Sequence, residues 1–89
     1  MPSPKPWVLQ IDADVLKEME RIPKDFAKRI LSAIRRLPFD PYAGDIQKMQ
    51  GKENVWRRRI GPYRFFYRLL PTESIILVFH LERRTSTTY

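Results

Sequence analysis

The stretch NVWRRRIGPYRFFYRL, Asn54 to Leu69, leaves a chain of this kind few folds to choose from. Gly61-Pro62 is a turn signal set between two runs rich in β-branched and aromatic residues. The segment therefore reads as a β-hairpin with strands over Val55–Ile60 and Tyr63–Leu69. A hairpin is stable only when one face is covered, so the rest of the chain must supply a cover. Five arginines stand in the same stretch, Arg57, Arg58, Arg59, Arg64 and Arg68. Folding alone does not ask for arginines on both strands beside a turn.

Alternation of side chains along a strand sorts them. If Trp56 and Ile60 face the core, Arg57 and Arg59 project from the opposite, open face. Arg64, Phe66 and Arg68 share one face of the next strand, against Tyr63, Phe65 and Tyr67. The apolar run SIILVFHLE is a further strand, central in character. Strict alternation there groups Ile76, Val78, His80 and Glu82, opposite Ile75, Leu77, Phe79 and Leu81. The open face is then expected to gather Arg57, Arg59, Arg64 and His80, a concave cationic surface edged with aromatics.

The cover comes from the first half of the chain. WVLQI is a short opening strand, and Asp12 or Asp14 can cap a helix carrying Val15, Leu16, Met19 and Ile22 on one face. Pro23 ends that helix and suits the first turn of a second, in which Phe26, Ile30, Ala33, Ile34 and Leu37 recur at helical spacing. PFDPYAGD is a loop, and IQKMQGKEN leads into the hairpin. The order β-α-α-β-β-β predicts an α+β domain, residues 1–89, with a two-helix hairpin on one face of a mainly antiparallel sheet.

Charge and composition narrow the chemistry. The net charge is +7, and residues 56–89 carry +5 of it, with arginine as every base in that half. Arginine's planar fork grips phosphate at two points and stacks on bases, which favours an anionic partner, nucleic acid foremost. There is no cysteine and a single histidine, so no metal site and no cofactor are expected. No apolar run approaches the roughly 20 residues that span a bilayer, and a signal-peptide pattern is absent, which points to a cytoplasmic protein with no membrane partner.

These elements resemble the RelE/ParE superfamily of bacterial toxins. The most specific match is W-x-x-R-I-G-x-Y-R-x-x-Y at Trp56, Arg59, Ile60, Gly61, Tyr63, Arg64 and Tyr67, joined by IILVFHL, the arginines after it and a final tyrosine. Arg58 departs from a position that is usually apolar in that family, and Pro62 from one where aspartate is frequent. The resemblance implies a toxin held inactive by a cognate antitoxin, expected to be acidic in its toxin-binding segment. RelE-like members cut mRNA on the ribosome without a metal, through attack of the ribose 2′-OH on its own 3′-phosphate. ParE-like members poison DNA gyrase instead, and a homologue that has lost activity and only binds its antitoxin is a further alternative. By position, the resemblance assigns Arg57 and Arg59 to the basic sites of the first hairpin strand and Arg64 to that of the second. Arg83 or Arg84 takes the basic site after the last strand, and Tyr89 that of the C-terminal tyrosine.

Such a reaction needs in-line positioning, charge stabilisation on the non-bridging oxygens and proton movement at both ends. Arginine serves the first two needs but is no usable base near neutral pH. Proton carriers must come from His80, Tyr89, or a carboxylate such as Asp45 or Glu53. Arg84 and Arg68 are candidates for substrate binding, and Arg68, further from the turn, is as readily structural.

Overall fold

The computed structural model describes residues 7–83 of the chain. Its elements run β1 (Val8–Ile11), α1 (Ala13–Met19), α2 (Lys24–Arg36), β2 (Ile46–Lys48), β3 (Val55–Ile60), β4 (Tyr63–Leu70) and β5 (Ile75–Arg83). The strands form one sheet in the order β1-β5-β4-β3-β2. Among the described residues only the β1–β5 pairing is parallel. The fold is α+β, as the alternation and helical spacing predict.

Two details of the sheet differ from the sequence reading. The segment leading into the hairpin contributes an edge strand, β2, which pairs antiparallel with β3 through Gln47 opposite Arg57. In β5 the strict alternation breaks. Phe66 pairs with His80 but Tyr67 pairs with Val78, so Phe79 is an extra residue, a β-bulge. Ile76 and Val78 therefore face the helices while His80 and Glu82 face the opposite side. The four residues grouped by alternation are split between the two faces.

The core lies between the helices and one face of the sheet. Val15, Ile30, Ala33, Ile34 and Leu37 meet Ile60, Tyr63, Phe65, Tyr67, Leu69, Ile76, Val78 and Leu81. Each fully buried side chain of this size contributes about 1.5–3 kcal/mol of transfer free energy, and that burial holds the helix pair to the sheet. Pro23 stands at the N-cap of α2 with extended ψ, and its carbonyl accepts from the Ala27 N–H. Leu16, expected on the buried face of α1, is instead 49% exposed.

The hairpin turn is tied to the helices. Gly61 has φ +57, and a Cβ there would stand 2.6 Å from the Phe26 ring. That ring packs against Tyr63 at 5.3 Å between centroids. The loop between α2 and β2 is pinned from below, where the buried Tyr67 hydroxyl donates to the Pro41 carbonyl at 2.5 Å. Burial raises the Tyr67 pKa to about 12. Tyr67 and Trp56 both belong to the helix-facing side, with Trp56 edge-on to Tyr42 at 5.4 Å.

Candidate active site

The open face of the sheet is organised in cross-strand rows. One row runs Gln47–Arg57–Phe66–His80 across β2, β3, β4 and β5, and the next runs Arg59–Arg64–Glu82. The register follows from the tight turn at Gly61-Pro62, which sets Ile60 opposite Tyr63 and hence Arg59 opposite Arg64. Like charges placed directly opposite each other repel. The face tolerates the pair because each guanidinium has an acid on its outer side.

Arg59 pairs with Asp45 at 3.6 Å, and Arg64 with Glu82 at 3.7 Å. Arg57 donates from Nη2 to the Gln47 side-chain oxygen. His80 Nε2 lies 3.0 Å from the other Glu82 oxygen. An ionised carboxylate only accepts, so Nε2 carries the proton in this contact, and in the neutral imidazole the lone pair is then on Nδ1. The imidazole stands 5.4 Å from the Phe66 ring, between centroids, and Phe66 also meets Phe79 at 6.4 Å.

Arg57, Arg59 and Arg64 line one cleft of about 310 Å³ together with Asp45, Ile46 and Gln47. Arg59 is the exposed member. Arg64 is largely enclosed, with its side chain 18% exposed, and its Nε is buried without a hydrogen-bond acceptor among the described residues. The 3.7 Å approach of Glu82 is an ion pair too long to count as a hydrogen bond. Three guanidiniums around one cleft, with a donor left unmet, suit a tetrahedral oxyanion such as a phosphodiester. Among the described residues no group of three or more histidine or acidic side chains is placed to hold a metal ion.

This hairpin and sheet have known counterparts. A family model described as the ParE toxin of type II toxin–antitoxin systems, parDE, matches residues 9–86. The chain belongs to this toxin family. A Methanocaldococcus jannaschii protein that bears the toxin name RelE1 is 30% identical over 79 residues, covering 85% of this chain and 88% of that protein. Among solved structures, the RelE–RelB complex of Pyrococcus horikoshii matches with a TM-score of 0.80. It is 24% identical and covers 93% of this chain and all of that one. The isolated Escherichia coli RelE toxin matches with a TM-score of 0.78 at 14% identity, covering 91% of this chain and 87% of that one.

For a member of the RelE/ParE superfamily, the placement of the expected site residues is uneven. Arg57, Arg59 and Arg64 converge, and His80 joins them across Phe66 through the bulge. Arg68 sits on the same face, opposite Val55, in a separate cleft with Glu53, Asn54 and Glu73. Arg83 pairs with Tyr63, so its parity is that of the helix-facing side and it is not gathered with Arg64. Arg84 and Tyr89 lie outside the described residues. Arg58 points to the helix side opposite Phe65, with Gly44 folded over its guanidinium. Sequence reasoning did not single out Glu82 or Gln47. Their roles depend on a bulge and an edge strand, and neither leaves a mark in residue spacing.

Proposed function

We propose that this toxin is a metal-independent endoribonuclease that cuts mRNA on the ribosome, working in the cytoplasm and neutralised by a cognate antitoxin with an acidic binding segment. The observation that carries this reading is the convergence of Arg57, Arg59 and Arg64 on one cleft beside an aromatic ring and a histidine. In the reaction, the ribose 2′-oxygen forms a bond to the adjacent phosphorus as the bond from phosphorus to the 5′-oxygen breaks. The products are a 2′,3′-cyclic phosphate and a free 5′-hydroxyl.

Arg64 and Arg57 neutralise the non-bridging oxygens in the transition state, where charge is greatest, and Arg59 closes the cleft from the solvent side. His80 takes the 2′-OH proton at Nδ1, and Glu82 steadies the imidazolium that results. Phe66 offers its face to a base, which orients the scissile linkage. By the family resemblance Arg83 or Arg84 takes the basic position after β5, and we assign to Tyr89 the proton delivered to the leaving 5′-oxygen. The Arg64–Glu82 and Arg59–Asp45 pairs hold the guanidiniums in place until phosphate displaces the carboxylates.

A second reading has one observation in its favour: the matching family model is described by its ParE members, and the ParE-like branch inhibits DNA gyrase. Cell-free bacterial translation with purified protein separates the two. Mapping message 5′ ends by primer extension is expected to show new ends at in-frame codon positions. Arg64→Ala should remove them with about 10²–10³-fold loss of rate, the cost of deleting one preorganised oxyanion donor. An intact message together with inhibited supercoiling would replace this reading with the gyrase one.

A further inference from the structure

The cleft of the candidate active site does not end at the sheet edge. A second cleft, of about 520 Å³, opens on the other side of Arg59 and shares both Arg59 and Asp45 with the first. Its walls carry Lys28, Arg29 and Arg36 from α2 and Arg58 from β3, and Asp45 is its one acidic lining residue. Among the described residues the ion pairs are Arg59–Asp45, Arg64–Glu82 and His80–Glu82, so none of those four bases is neutralised. Arg58 also has its Nε buried without a hydrogen-bond acceptor among the described residues. Lys28, Arg29 and Arg36 are solvent-exposed, and together with Arg58 they set up a positive field along this wall that draws in an anion.

The stripe has a direction. Lys28, Ser32 and Arg36 are four residues apart on α2 and so stand one above another on one face. Just beyond the helix, Phe39 is 89% exposed and shares a further shallow cleft with Lys28, Ser32, Arg35 and Arg36. An exposed ring among bases at the end of a cationic groove is how single-stranded nucleic acid is held, with phosphates in the groove and a base on the ring. What favours a polynucleotide over an acidic peptide is continuity: the groove shares Arg59 and Asp45 with the phosphate cleft, so one strand can run through both.

We propose that the groove from Arg59 along Lys28 and Arg36 to Phe39 is the binding site for the RNA strand flanking the scissile linkage. This inference rests on the ribonuclease reading and adds a length requirement to it. The strand leaves the Arg57–Arg64 cleft, turns around the exposed end of β3 at Arg59, and lays its next phosphates against α2. At that turn the Asp45 carbonyl accepts from the Arg59 N–H and the Asp45 carboxylate pairs with the Arg59 guanidinium, so the strand passes on the solvent side of this pair.

The test uses RNA blocked at every 2′-position by methylation, so that binding is read without cleavage. Fluorescence anisotropy with the full chain compares a dinucleotide with an octanucleotide. The wild-type protein is expected to bind the longer RNA at least about tenfold more tightly. The pair Lys28→Glu with Arg36→Glu should erase that gain and lower the salt slope by about 0.7 for each phosphate it no longer neutralises. Phe39→Ala should cost several-fold on the octanucleotide alone. The pair Lys17→Glu with Lys24→Glu makes the same charge change outside the groove and should keep the gain. Equal length gain in the groove variant, or a loss of antitoxin affinity with RNA affinity intact, overturns the proposal. An uncut message in translation, with the length gain still abolished in the groove variant, keeps the RNA groove and removes the ribonuclease reading instead.

Discussion

The two faces of β3 present the same residue type to opposite fates. On the open face Arg57 and Arg59 stand in a solvent cleft, each with a single polar partner. On the other, Arg58 is folded under the loop at Gly44, where a Cβ would come within 2.5 Å of its guanidinium carbon. Parity turns Arg57 and Arg59 toward the open-face cleft and Arg58 toward α2, where it lines the neighbouring groove. On the proposed reading the chemistry belongs to the open face of the sheet and the packing of the core to the other, with the groove along α2 at the border between them. Substitutions should therefore divide cleanly between loss of activity and loss of fold.

The sharpest way to break this division is a deletion in the core. Ile34→Ala removes a side chain with no exposure and should cost about 2–5 kcal/mol by chemical denaturation. Its effect on catalysis, measured well below the transition, should be slight. The mirror case is His80→Asn, which should slow cleavage about 10²-fold while leaving the denaturation midpoint within error. A large stability loss in His80→Asn would place the imidazole in the packing of the fold rather than in the chemistry.

Smaller effects sharpen the helix-facing side. Gly61→Ala imposes an unfavourable positive φ and presses on the Phe26 ring, which should cost about 1–3 kcal/mol in thermal unfolding. Tyr67→Phe removes the hydroxyl that holds the Pro41 carbonyl, for about 0.5–1.5 kcal/mol. It also carries a pH signature. The folded-state pKa of about 12 exceeds the ordinary value of 10.0, so the unfolded chain loses this proton first. Stability contributed by Tyr67 is present below about pH 10 and is lost as pH rises toward 12. The difference between wild type and Tyr67→Phe should shrink over that window, and a constant difference would place the hydroxyl in solvent.

How much of this was legible in the residues depends on range. The hairpin and the open-face placement of Arg57, Arg59 and Arg64 follow from local alternation about a two-residue turn, and the sequence carries both in plain form. The helix pair is equally plain, because Phe26, Ile30, Ala33, Ile34 and Leu37 recur at helical spacing and pack inward. The edge strand β2 was not, since Ile46–Lys48 is too short to show a period and forms only because β3 offers an unpaired edge. The grouping of His80 and Glu82 with Ile76 and Val78 by strict alternation failed for a similar reason. A bulge is a property of two strands in register, and Phe79 looks like any other apolar residue of the run.

That bulge also decides how freely the two halves of β5 can diverge. Ile76 and Val78 answer to the helices, while His80 and Glu82 answer to the open face, and Phe79 is the joint between them. A one-residue joint lets the open-face end of the strand be rewritten without disturbing the phase of the core-facing end. Straightening the bulge with Phe79 kept in the ladder would turn an imidazole and a carboxylate into the core and Leu81 out of it, whereas deleting Phe79 would leave both ends in phase. The site and the scaffold thus share a strand but not a reading frame.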